Sequence, residues 1–64
     1  KNVYAIALVH NHPSGNPGES PEDVNLTRAV IDAGKILDIR LIDHIIIAAN
    51  SFGSIRRNHP DLWA

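Results

Sequence analysis

No cysteine occurs in these 64 residues, so neither a disulfide nor a thiolate metal site can hold the fold together. Any metal would have to be bound by His, Asp or Glu. Methionine is absent too. The chain opens at Lys1 and enters an apolar run within two residues, the start expected of a sequence cut inside a domain. Aromatic residues are scarce, with only Tyr4, Phe52 and Trp63. Charge of one sign is lacking as well: six basic residues against seven acidic ones give a formal net charge of -1. That balance exerts no strong pull toward nucleic acid or a membrane surface. The one adjacent basic pair, Arg56-Arg57, is too small for a nucleic-acid patch and reads as solvated surface. The apolar runs, Val3 to Val9 and Ile45 to Ala49, fall far short of the ~20 residues of a membrane helix. No secretory signal is visible, and a cytoplasmic location is expected by default. A chain of this length is one domain at most, and it buries only about 60% of its unfolded surface.

The chain does have punctuation. Val3 to Val9 is an unbroken apolar run with β-branched residues, expected to form a strand buried on both faces. Pro13 ends it, and Gly15, Pro17 and Gly18 make a loop. Ser20 reads as a helix N-cap, Pro21 as the first helical residue and Asp23 as the third, close to a capping box. Val24, Thr27, Val30, Ile31 and Leu37 recur at helical spacing. Gly34 marks close packing near the helix end, which is expected at Leu37 or Asp38. Leu41 to Ala49 is a second buried strand. A turn at Asn50, Ser51 and Gly53 leads to a short returning strand over 54–57. The tail from Asn58 has no clear period, and Trp63 is a candidate to dock on the body or on a segment outside the chain. The fold class is therefore α/β, with a parallel strand–helix–strand unit.

The densest chemistry lies between His10 and Asp23. In an extended segment residues i and i+2 share a side, so His10 and His12 can aim both imidazoles at one point while Asn11 points away. Asp23 lies one turn into the following helix. Two nitrogens and one oxygen suit zinc, and three protein ligands with an open fourth position suit a catalytic site. Open α/β sheets also gather chemistry at the carboxyl ends of strands. On spacing alone, a strand end followed by an ordinary helix cap explains the same residues equally well. The two roles are compatible: Asp23 can offer one oxygen to a metal while Ser20 caps the helix, whose N-terminus adds partial positive charge. Metallo-β-lactamase-like hydrolases need Asp-His where Ser14 and Gly15 stand. Zinc deaminases need a P-C-x-x-C string.

His10-x-His12, seven residues, then Ser20-x-x-Asp23 resembles the JAMM motif of MPN (JAB) metalloproteases. The wording H-N-H-P-S-G followed by S-P-E-D, and later L-I-D-H-I-I-I from Leu41 to Ile47, resembles the RadC branch. The resemblance runs from about Tyr4 to Arg57. It implies a cytidine-deaminase-like MPN/JAB fold, of which residues 1–64 would be the C-terminal part. It implies Zn2+ held by His10, His12 and Asp23, with Ser20 stabilising the tetrahedral intermediate. It further implies an upstream glutamate as general base. No acidic residue precedes His10, so the chain by itself is expected to be inactive. The activity implied is hydrolysis of amide or isopeptide bonds in a protein or peptide substrate. The alternative is a non-catalytic binding module linked to DNA repair, a name RadC relatives carry, although three aromatics and no basic stripe give nucleic acid little support. His44, next to Asp43 on the opposite face of its strand, is expected to be a buried, hydrogen-bonded histidine, and His59 a surface residue. Asp38 stands where RadC relatives usually have glycine. Ser14 and Gly15 match the family loop and equally a plain turn.

Overall fold

The computed structural model describes residues 4–13 and 15–64. Ser14 and Val3 lie outside the described residues. The elements are β1 (Tyr4–Asn11), α1 (Pro21–Leu37), β2 (Ile39–Ile47), β3 (Phe52–Ser54), the single-turn helix α2 (Ile55–Asn58) and a 3-10 turn (Pro60–Trp63). The sheet order is β1-β2-β3. β1 and β2 are parallel, as the strand–helix–strand reading expects, and β3 returns antiparallel to β2. The β1–β2 register slips between Ile6 and Ala7, so that Ile6 faces Leu41 but Ala7 faces Asp43.

Local chemistry sets the bounds of α1. The Ser20 side chain accepts from the Asp23 N–H and the Asp23 carboxylate accepts from the Ser20 N–H, a complete capping box followed by proline at the first turn. The helix stops at Leu37 because Asp38 turns into the left-handed region, with φ 58° and ψ 38°. Its N–H caps the Gly34 carbonyl, and Asn and Asp are among the few side chains that tolerate this backbone. β2 can therefore begin at Ile39, two residues before the expected start. It ends at Ile47 because the Ala48 N–H closes a turn onto the Ser51 carbonyl.

Two expectations are corrected. β1 is apolar but mostly exposed, with Tyr4, Ile6 and Val9 all open to solvent. Among the described residues it is an edge strand paired only with β2, and α1 lies over β2 instead. An apolar run reports what a strand can bury, not which neighbour covers it. The returning strand is Phe52–Ser54, and residues 55–58 are helical. Ser54 explains the difference: its hydroxyl oxygen accepts from the Arg57 N–H as an N-cap and its proton goes to Asp43 Oδ2 at 2.6 Å. Asp43 Oδ1 also accepts from the His44 and Arg56 N–H groups, so one carboxylate holds the β3–α2 corner to β2.

Among the described residues the buried apolar side chains are Leu41, Ile46, Ala48 and Ile55, joined by Thr27, His44 and Asp23. Of the expected helix face, Thr27 is buried and Val24, Val30 and Ile31 are half-buried, whereas Leu37 is exposed. The tail docks on the body through the Trp63 indole, which donates to the Leu41 carbonyl at 2.7 Å. Arg56 is not a free surface cation. It donates to the Ile42 carbonyl and lies over the Trp63 ring, 5.6 Å from its centroid. Among the described residues no helix is long and apolar enough to cross a membrane.

Gly34 sits where α1 passes β2, and a Cβ there would collide with the Ile39 carbonyl oxygen. Gly34→Ala should therefore destabilise the chain by about 1–3 kcal/mol, the usual cost of overpacking, even though alanine is the better helix former. A urea melt of the two chains checks this, and a neutral or stabilising result would contradict the close approach.

Candidate metal centre

The parallel register puts His10 opposite Ile46 at the carboxyl end of β1. His12 lies just past the strand, its N–H donating to the Ile47 carbonyl at 2.9 Å. The capping box places the Asp23 carboxylate between the two imidazoles. His10 Nδ1 is 2.8 Å from Asp23 Oδ1, and His12 Nε2 is 3.1 Å from Asp23 Oδ2. The two rings meet edge to face with centroids 4.7 Å apart. One donor atom from each of the three residues lies within 4.8 Å of the others, close enough to share one ion.

Hydrogen-bond logic tests whether these residues suit a cation. His12 Nδ1 is 3.2 Å from the Asn16 carbonyl oxygen. A carbonyl can only accept, so this nitrogen carries the proton and, in neutral His12, Nε2 presents a bare lone pair. That lone pair faces a carboxylate oxygen. Two acceptors 3.1 Å apart require a proton or a cation between them. A ring whose second nitrogen donates to a backbone carbonyl is also how metal-bound histidines are commonly oriented. The donor set therefore fits a metal ion.

Asp23 is only 3% exposed. Burial pushes its pKa up, but the Ser20 N–H and hydroxyl, with His10 and His12, outweigh that and hold the carboxyl below its ordinary value. Oδ2 already accepts from the Ser20 N–H at 2.8 Å, so both the cap and the histidines share this carboxylate. Ser20 Oγ accepts from the Asp23 N–H at 3.2 Å, and the hydroxyl sits beside the Asp23 carboxylate whose charged form it favours.

Two neighbours escaped the spacing argument. His44 is buried and hydrogen-bonded as expected, to Thr27 Oγ at 2.7 Å, but its ring also stacks on His10 with centroids 6.0 Å apart. Burial keeps its pKa below the ordinary histidine value, in favour of the neutral ring. Only the pairing register could have shown that His44 lies behind His10. His59 is partly exposed rather than a free surface residue. Its Nε2 meets Glu19 Oε1 at 2.5 Å, and the Asn58 side chain donates to Glu19 Oε2 at 3.3 Å. This contact spans forty residues, and no local pattern announces it. Its own backbone N–H, with smaller help from His59 and Asn58 against burial, holds Glu19 below the ordinary carboxylate value. On the other side of the loop Gly53 faces Pro17, where a Cβ would stand 2.7 Å from the Pro17 carbonyl oxygen.

Sequence comparison identifies the family. The chain matches the RadC-like JAB domain family over residues 1–60 and belongs to that family. A UPF0758 protein of Roseiflexus sp. (strain RS-1) is 54% identical over 55 residues, covering 86% of this chain and 24% of that protein. One from Desulforudis audaxviator is 48% identical over 56 residues, covering 88% and 24%. One from Alkaliphilus metalliredigens is 52% identical over 52 residues, covering 81% and 22%. The chain thus spans about a quarter of the length of these relatives. Its three-stranded mixed sheet and helices are those of a small α/β unit, consistent with part of a JAB/MPN domain.

Asp23 and Glu19 both have lowered pKa values in the fold. Each therefore contributes stability that is complete above the unfolded carboxylate range, about pH 4, and is lost as pH falls through the lower folded value. The metal-free chain should lose stability on acidification from about pH 5 to pH 2, and Asp23→Asn should flatten part of that loss. Chemical denaturation across this range is the check. An equal acid loss in both chains would contradict the carboxylate's placement.

Proposed function

We propose that this chain carries the zinc-binding part of a hydrolase that cleaves amide or isopeptide bonds in protein or peptide substrates. The observation that carries the reading is the three-residue donor set of His10, His12 and Asp23, with His12 Nε2 and Asp23 Oδ2 facing each other as acceptors. Three protein ligands leave a fourth tetrahedral position open, the arrangement of catalytic rather than structural zinc. Some JAB-domain proteins are hydrolases, which supports the same class.

Zinc in this cradle would supply a Lewis acid and a bound water acidic enough to ionise near neutral pH. The chain's own residues orient the ligands and stabilise developing charge. Asn16 orients His12 through Nδ1. Ser20 holds Asp23, and its hydroxyl proton turns from the Asp23 carboxylate to an oxyanion as charge develops there. The N-terminus of α1 adds partial positive charge on the same side. The family pattern assigns the general base to a glutamate ahead of His10, a position that no acidic residue of these 64 fills.

The chain should bind about one zinc ion, and His12→Ala and Asp23→Ala should each abolish specific binding, as removing one of three ligands does. Equilibrium dialysis with metal analysis reads this directly. No specific zinc on the chain or on the native protein that carries it would overturn the reading. Zinc retained by a native protein that hydrolyses no peptide or isopeptide bond would instead favour a binding module. In a native protein that does hydrolyse, Ser20→Ala should lower kcat by about 10²–10³, the typical loss of one oxyanion donor. An unchanged kcat would remove Ser20 from the mechanism.

A further inference from the structure

Behind the ligands runs a buried hydrogen-bond chain that ends on the backbone of one of them. Thr27 Oγ lies 2.7 Å from the Asp23 carbonyl oxygen and 2.7 Å from His44 Nδ1. The carbonyl only accepts, so the single hydroxyl proton of Thr27 goes to Asp23. The Thr27 oxygen is then the acceptor for His44, and His44 Nδ1 must carry a proton. The order of donation is His44 Nδ1–H to Thr27 Oγ–H to the Asp23 carbonyl. Thr27 is 0% exposed and His44 1% exposed, so these bonds form out of reach of bulk water.

This arrangement is costly as packing. A helical Thr that bonds back to the carbonyl four residues earlier slightly destabilises and bends the helix. A buried imidazole occupies space in a core where, among the described residues, four apolar side chains are buried. Yet the chain meets the metal centre twice, once at the Asp23 backbone and once where the His44 ring backs His10, nearly parallel with an 18° interplanar angle.

We propose that Thr27 and His44 are positioning residues of the metal centre: the His44 Nδ1–H, acting through the Thr27 hydroxyl, fixes the first turn of α1 and with it the direction of the Asp23 carboxylate. The role is additional to the ligands and to the capping box, and it rests on the metal reading above. It also dictates a tautomer. Neutral His44 is the Nδ1–H form, with Nε2 left as an acceptor.

The test uses the native protein that carries this chain. Thr27→Val keeps the shape and removes the relay, while Thr27→Ser keeps the hydroxyl. Zinc affinity should fall about 10–100-fold in Thr27→Val, the usual cost of losing an outer partner of a ligand, and return to within about threefold of wild type in Thr27→Ser. A purely structural role would lower the metal-free melting temperature without this hydroxyl-dependent change in affinity. Wild-type affinity in a folded Thr27→Val protein overturns the proposal. Should Thr27→Val fail to fold, nitrogen-15 NMR of the wild-type imidazoles decides instead: Nδ1–H at His44 is expected, and Nε2–H overturns the relay. Zinc failing to bind the wild type sinks the functional reading and the positioning role together. Zinc bound with His44 as Nε2–H sinks the relay alone.

Discussion

The site depends on a single buried carboxylate that is shared. Asp23 completes the cap of α1 through Oδ2 and the Ser20 N–H, and the same group faces both histidines. A buried carboxylate is costly unless paired and hydrogen-bonded. Here the pairing joins the start of the helix to the end of β1, so secondary structure and site geometry are one constraint. Removing the carboxylate would leave the two imidazoles without their shared ion-pair partner and a helix without half its cap.

The rest of the fold serves that junction. β2 supplies the parallel register that sets His10 and His12 at one end of the sheet. Gly34 lets α1 lie close against β2, and Asp38 reverses the chain within one residue. Asp43 ties the β3–α2 corner to β2, and Trp63 ties the tail to Leu41 of the same strand. Glu19, held by His59 and Asn58, anchors the loop on which Ser20 stands. With so small an apolar core, polar contacts of this kind do much of the specifying.

Local signals were legible in the sequence. Ser20, Pro21 and Asp23 announce a helix start because capping is a matter of residues three apart. His10 and His12 announce a shared side because a strand alternates. Gly34 and Leu37 mark close packing and the helix end. What depended on neighbours was not legible. The apolar run of β1 carries no information about which element covers it, and it proved an exposed edge among the described residues. Ser54 to Arg57 could pair or coil, and the Ser54 cap with Asp43 decided for a helix. His44 behind His10, and His59 on Glu19, follow from register and chain return, which no short window contains.

The central claim is that Asp23 and the two histidines converge on one metal ion. Zinc K-edge X-ray absorption on the zinc-loaded native protein tests it most directly. The account predicts a first shell of nitrogen and oxygen at about 2.0–2.1 Å, with an imidazole scattering signature for two histidines that is lost with the specific zinc in His12→Ala. A shell without histidine scattering, or one unchanged by His12→Ala, would contradict it.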